Sequence, residues 1–443
     1  MSNIIRLPNG FRIIYQKSSH DVPISSIYLF CGFGSIHENE NIRGIAHFIE
    51  HMVFKGTKEI PKPKNIFMEY DKVGAEVDAF TEKEYTCYTI KCNDIHLENS
   101  LIVLSNMMFH STFNKKEFKK EEQVVIEENI QNADDPEDRI YENMQKILYA
   151  NTPYAYSVDT LEYHQSLFHY QQVIDTYNSY YIPQNMVISI VSNLSFEKIK
   201  KIIKKTVFID MPSNITRSTP YIPWTPSSQS QSRYHIEKKI GLNTTYISIG
   251  FRVNAIDKYV LNLLKTILSG PMSSRLFMIL REEHGLTYSS FIETTFFQEV
   301  GDFTLFTETG HKKLIKSKNK KGVIPLIIQL FNDLLKHGVD QKEIIHAKGY
   351  LQGNMNIDLE DIDTIANYNG EQVLLNTFTF GNENTPFVSF SNVFDKYYRN
   401  IQKKEVDKII QTYFIKSNMY VCILGEHIPS LNEIRNECEK LYR

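Results

Sequence analysis

The chain lacks any apolar run of about 18 residues, the length a membrane-spanning helix requires, so no bilayer span is expected. It has little cysteine: five residues in 443, at positions 31, 87, 92, 422 and 438, odd in number and scattered. That distribution argues against a disulfide framework and for a reducing compartment, and Cys87 and Cys92 lack the spacing of a zinc knuckle. Neither sign of charge is in excess. The 49 Lys and Arg against 52 Asp and Glu leave a formal charge of −3, which excludes a general attraction to nucleic acid or to an anionic membrane surface. Tryptophan occurs once, at Trp224. The first residues run directly into a strand-and-turn pattern, Arg6-Leu7-Pro8-Asn9-Gly10-Phe11, leaving no room for a secretory apolar region or a transit peptide. The expectation is a cytoplasmic location.

What is present is an ordinary globular composition, 42% hydrophobic and 23% charged, in a chain long enough for two or more domains. Residues 212–232 hold four Pro and six Ser with little apolar periodicity, and read as a linker over 212–233. On either side, 1–211 and 234–443, the order of expected elements is the same. The first half has a strand over 24–34, a helix over 43–55 and strands within 74–92. The second has a strand over 246–253, a helix over 257–268 and strands within 286–308. Each half continues with long amphipathic helices and closes on an apolar strand, 186–191 and 419–424. The pattern implies a duplicated α+β unit, each copy a mainly antiparallel sheet packed with helices.

Only the first copy carries the pentapeptide His47-Phe48-Ile49-Glu50-His51. Two histidines four apart on a helix reach the same point in space. At about 100° per residue, with His47 at 0°, Glu50 falls near −60° and His51 near +40°, so all three share about a third of the surface. Ile45, Phe48, Ile49 and Met52 take the opposite face and Gly56 follows as a stop. The order H-x-x-E-H inverts the common H-E-x-x-H and sets the carboxylate on the other flank of a metal. A zinc site with an open position needs a third protein ligand. A helix expected over 115–131 places Glu121 and Glu128 seven apart, on a face shared with Phe118 and Val125, where an ionised carboxylate is costly unless a positive charge meets it. Spacing alone leaves Glu128 open between a ligand and a surface acid. Glu122 and Glu127 read as surface acids.

These residues resemble the pitrilysin-type inverted zincins, most closely the half-length branch that includes the mitochondrial processing peptidase β subunit. The similarity covers nearly the whole chain. Gly44-Ile45-Ala46-His47-Phe48-Ile49-Glu50-His51-Met52-Val53-Phe54-Lys55-Gly56-Thr57 is similar to the zinc helix of that family almost letter for letter. The resemblance implies Glu128, 77 residues past His51, as the third ligand and Glu121 as a supporting acid. The Gly-x-x-x-Asn-Ala-x-Thr strand of the family is matched by Gly74-Ala75-Glu76-Val77-Asp78-Ala79-Phe80-Thr81, with Asp78 in place of the usual Asn. In the second half, Ser274-Arg275-Leu276 and Leu280 to Ser289 are similar to the C-terminal signature, whose Arg and Tyr correspond to Arg281 and Tyr288.

The resemblance implies a half-clamshell of two homologous α+β domains holding one Zn2+ per chain at His47, His51 and Glu128. It implies a metalloendopeptidase acting on extended or unfolded peptides, with Glu50 as general base and Arg281 and Tyr288 as hydrogen-bond donors to substrate. Because both the zinc motif and the Arg/Tyr pair occur on one chain, a homodimer is the expected assembly. The alternative is a non-catalytic peptide-binding or scaffold member of the family. The six lysines within 312–321 read as a solvated loop, and Trp224 as a residue pinning the linker to a domain.

Overall fold

The computed structural model describes residues 2–158, 168–212, 233–317, 320–380 and 387–442. Trp224 and nearly all of the expected linker lie outside the described residues. The strands in the first half are β1 (Ser2–Arg6), β2 (Arg12–Lys17), β3 (Ile24–Cys31), β4 (Glu76–Thr81), β5 (Thr86–Asn93) and β6 (Met186–Ser192). Its first five helices are α1 (Ile45–Val53), α2 (Pro63–Asp71), α3 (Leu97–Phe109), α4 (Lys115–Asp134) and α5 (Pro136–Leu148). The second half supplies β7 (Tyr234–Lys238), β8 (Thr244–Asn254), β9 (Ser290–Phe296), β10 (Val300–Gly310), a hairpin of β11 (Lys316–Ser317) with β12 (Lys320–Lys321), and β13 (Met419–Gly425).

Two sheets result, one of order β1-β2-β6-β3-β5-β4 and one of order β7-β13-β8-β10-β9. In the first, β2 and β6 are parallel and every other pair is antiparallel. In the second, β7 and β13 are parallel and the rest antiparallel. Strand for strand, β2-β6-β3-β5-β4 repeats as β7-β13-β8-β10-β9, so the duplicated, mainly antiparallel α+β architecture expected from the sequence is present. The strand β1 is the extra element of the first copy.

Alternating residues of the first sheet are apolar on both faces, because both faces are covered. Phe11, Ile13, Ile27, Leu29, Tyr88, Ile90, Ile188 and Ile190 join one core with α1 and α3. Ile14, Phe30, Cys87 and Val187 point the other way and pack on Leu374. That residue belongs to the helix Ile362–Phe380, which comes from the second half of the chain and lies on β3 and β6. The reciprocal holds for α5, from the first half, which lies on β8 and β13 of the second sheet. The compact units are therefore discontinuous. One comprises Met1–Gln131, Tyr156–Ile222 and Asn356–Ser391; the other comprises Asn132–Ala155, Pro223–Met355 and Asn392–Arg443. This differs from the contiguous division at 211/234: each sheet takes one covering helix from the opposite half.

Polar anchors fix both exchanged helices. Asp363 accepts from Ser26 at 2.5 Å and pairs with Lys91 at 2.6 Å. In the other unit, Tyr149 donates to the fully buried Asp302 at 2.8 Å, and Asn143 to Glu237 at 2.7 Å. Glycine permits the close approach. A Cβ on Gly370 would stand 2.3 Å from Cε2 of Phe30, itself fully buried.

Helix-interior Gly→Ala normally stabilises by about 1 kcal/mol through propensity. At Gly370 the clash should reverse the sign, and Gly370→Ala should cost about 1–3 kcal/mol through overpacking. Gly353, in the helix Gln341–Asp358, has nothing near its Cβ position and should follow propensity. Urea unfolding midpoints for the two variants test the contrast.

Candidate metal centre

Helix α1 is built to present a polar face out of an apolar setting. Ile45, Phe48, Ile49, Met52 and Val53 are fully buried and hold it against the sheet. Its N-cap, Gly44, has φ +80°, a left-handed conformation that glycine adopts without strain. The buried carboxyl of Glu38 accepts from the backbone N–H groups of Gly44 (2.8 Å) and Ala46 (2.9 Å) at the start of the helix, and burial pushes it up to about 8 against the pull of those hydrogen bonds and of Arg43. The sequence reading had not singled out Glu38.

On the polar face, Nε2 of His51 and Nε2 of His47 are 3.1 Å apart. Helix α4 brings Glu128 to them: its Oε1 is 3.9 Å from Nε2 of His47, and its Oε2 is 3.3 Å from Nε2 of His51. These three residues form the one group among the described residues whose ligand atoms could close on a metal ion. Ligand atoms about 2.0–2.1 Å from a tetrahedral zinc stand about 3.3 Å from each other. The observed separations bracket that value, and two imidazoles with one carboxylate are a donor set suited to zinc. The residues present therefore fit the metal that the sequence motif implies.

The supporting contacts also converge. Nδ1 of His51 lies 2.9 Å from Oε1 of Glu121, whose Oε2 is 2.7 Å from Nζ of Lys55. A proton on Nδ1 donated to Glu121 leaves the lone pair of Nε2 turned toward His47 and Glu128. Burial pushes the Glu121 carboxyl up, but the hydrogen bonds from His51 and Lys55 outweigh it and hold the group below its ordinary value. Burial pulls the His51 imidazole down, yet the Glu121 hydrogen bond and the charges of Glu50, Glu128 and Glu121 outweigh that and raise it.

Glu50 is buried beside His51, and the hydroxyl of Thr81, at the end of β4, donates to its Oε2 at 2.5 Å. Burial drives the Glu50 carboxyl up to about 7, against the pull of Thr81 and His51 and with a push from Glu128 and Asp78. Asp78, the acid standing where the family pattern has Asn, thus adds negative charge near Glu50.

Glu121, Phe118 and Val125 are buried on one face of α4 as expected, while the Glu128 side chain is 40% exposed at the mouth of the group. Glu127 is exposed. Glu122 corrects the sequence reading: only 3% exposed, it is not a surface acid but a buried one paired with Lys119 at 2.7 Å. The buried arc of α4 extends past Val125 to Asn129, and Glu122 falls within it.

Arg281 and Tyr288 belong to the other unit. Arg281, in the π-helical segment Phe277–Glu283, has its guanidinium 4.9 Å from the ring centres of both Phe277 and Tyr288. Tyr288 is 77% exposed. The two residues form a stacked cation–π pair presented to solvent.

Residues 12–160 match the family profile "Insulinase (Peptidase family M16)", and residues 168–351 match "Peptidase M16 inactive domain". An uncharacterized zinc protease, YmxG, of Bacillus subtilis is 32% identical over 373 residues, covering 83% of this chain and 87% of that protein. An uncharacterized zinc protease of Rickettsia felis is 28% identical over 86% of this chain and 88% of its own length. Among solved structures, a protease from Helicobacter pylori superposes with a TM-score of 0.84 at 20% identity, covering 96% of this chain and 99% of that one. The periplasmic protease PqqL of Escherichia coli gives 0.79 at 18% identity over 100% of this chain and 50% of its own. These structural likenesses concern the fold. No helix among the described residues is long and apolar enough to cross a membrane.

Because His51 must be deprotonated to ligate and its pKa is raised, protons compete for the site from above the ordinary imidazole value. Zinc affinity should be full above that raised pKa and fall as pH drops through it, by about tenfold per unit for one displaced proton. Competition with a chelator between pH 8 and 5.5 measures the slope; a flat profile contradicts the assignment of His51.

Proposed function

The chain belongs to the insulinase family, peptidase family M16, and from that premise we propose that it is a zinc-dependent endopeptidase that hydrolyses extended or unfolded peptides. One observation carries the reading: His47, His51 and Glu128 converge at ligand distances with Glu121 behind His51 and Glu50 beside it. His47, His51 and Glu128 would hold the metal, one ion per chain. Bound zinc would polarise the scissile carbonyl, lower the pKa of a water toward neutrality and, as a divalent charge, favour the ionised form of Glu50.

The residues of the chain do the rest. Glu50 takes a proton from the attacking water as the oxygen bonds to the carbonyl carbon, and passes it to the leaving nitrogen as the C–N bond breaks. Glu121 holds the His51 ring and its tautomer. Arg281 and Tyr288 are donors for a substrate carbonyl or its developing oxyanion. The edge position of β4 supports an extended substrate, because a peptide can lengthen the sheet there by pairing its backbone with the strand.

A homodimer accommodates these parts. Each chain carries both the metal-ligand set and an exposed Arg281–Tyr288 pair, so two copies can complete two sites by isologous contact. Sedimentation should give a dimer that turns over without any other protein; an inactive monomer rescued only by an unlike subunit contradicts the assembly.

Glu50→Gln should retain one zinc per chain and lose turnover of a quenched peptide by about 10²–10⁴-fold. Chelation should abolish wild-type turnover, and zinc should restore it. Loss of zinc in Glu50→Gln contradicts its role as base. Zinc-loaded wild type without turnover on an unfolded peptide library leaves the peptide-binding alternative.

A further inference from the structure

We propose that Thr81 is a positioning residue for Glu50, tying the carboxylate that acts as base to the end of the open sheet edge. The proposal rests on the peptidase reading for its consequence, and on the geometry of the chain for its substance.

The direction of the hydrogen bond follows from the neighbours. Oγ1 of Thr81 is 2.5 Å from Oε2 of Glu50 and 3.4 Å from Oγ1 of Thr86. The proton of Thr86 goes to the carbonyl of Phe33 at 2.8 Å. Thr86 thus has no proton to give Thr81. Of the two acceptors left to the Thr81 hydroxyl, the acceptor-only carboxylate oxygen of Glu50 is nearer by 0.9 Å, so the Thr81 proton goes to Glu50 Oε2 and the other carboxylate oxygen is left for proton transfer. A carboxylate on a three-bond stem otherwise samples several rotamers, and the hydroxyl selects one before any substrate arrives.

The hydroxyl is itself fixed by the turn that follows β4. Thr81 pairs with Thr86 in the β4–β5 register, and Glu82 N–H donates to the Tyr85 carbonyl at 2.7 Å. The turn is held from its other side by Ser35 N–H on the Glu82 carbonyl (3.3 Å) and Ile36 N–H on the Lys83 carbonyl (3.0 Å). Gly34 permits this approach, since a Cβ there would lie 2.2 Å from the Glu82 carbonyl oxygen. Lys83 adds a bond from Nζ to the Tyr156 carbonyl at 2.7 Å. So many ties on a four-residue turn place one hydroxyl where the buried carboxylate needs a donor. Since β4 is the outermost strand, a peptide paired along it runs to Thr81, and the strand that would receive substrate is the strand that orients the base.

The test compares wild type, Thr81→Val and Thr81→Ser. Valine keeps the shape and removes the donor; serine keeps the donor. In zinc-loaded protein, Thr81→Val should keep metal stoichiometry and KM while kcat falls about 10–100-fold, and Thr81→Ser should recover most of it. A second readout needs no activity: the Glu50 carboxylate bands, isolated as the infrared difference between each protein and its Glu50→Gln counterpart, in the metal-free state. Those bands should shift in Thr81→Val and return in Thr81→Ser. Unchanged bands in Thr81→Val overturn the proposal, as does a serine variant as slow as valine, or a rise in KM with kcat preserved. Should Thr81→Val not fold, a wild-type-like infrared band in Thr81→Ser supports the proposal and a displaced one overturns it. A wild type that binds zinc but has no turnover, with the bands of Thr81→Val still shifted from it, sinks the peptidase reading while leaving the Thr81–Glu50 bond intact.

Discussion

Two imidazoles and one carboxylate brought to a single point of the first unit are the contact on which the rest of the site depends. His47 and His51 lie one helical turn apart on α1, and the carboxylate of Glu128 arrives from α4, far downstream in sequence. Two imidazole nitrogens 3.1 Å apart with a carboxylate oxygen at 3.3 Å have the spacing of ligands around a divalent cation. Hydrogen bonds hold the residues around them. Glu38 caps α1, Glu121 and Lys55 fix the His51 ring, and Thr81 holds Glu50.

The scaffold makes that aim rigid by covering both faces of each sheet. Strands β6 and β13 are buried along their whole length because helices lie on both sides of them. One of those helices always comes from the other half of the chain. The second copy of the duplicated unit has the same strand order without the histidine pair, so the candidate metal centre is not required by the architecture the copies share. Elsewhere the second copy presents Arg281 stacked on Tyr288. A duplicated fold with divergent polar equipment agrees with the two family profiles matched by the chain, one of them described as inactive.

Local periodicity made the metal helix legible, since His47, Glu50 and His51 share a face by counting alone and the apolar residues opposite them bury as expected. The order of elements along each half could be inferred from matching runs of apolar residues, and the repeat from their recurrence; the order of strands across each sheet could not. Other features depend on contacts distant in sequence. Which sheet a helix covers is not encoded in its own periodicity, so the exchange of α5 and Ile362–Phe380 was hidden, although Gly370 was its local trace. Glu122 looked like a surface acid because its neighbours are charged, while the buried arc of α4 is wider than the stripe through Phe118 and Val125. Thr81 stood in a quoted strand motif, but its partner Glu50 is 31 positions away. Spacing narrowed Glu128 to a candidate; the resemblance, and then the convergence of its oxygens on two imidazoles, singled it out.

The central claim is that a single divalent ion sits among His47, His51 and Glu128. Anomalous diffraction above and below the zinc edge, from crystals of protein grown without chelator, tests it most directly. One peak within bonding distance of both Nε2 atoms and a Glu128 oxygen is the predicted result. A map without such a peak from protein loaded with zinc, or a peak coordinated by other residues, contradicts the account.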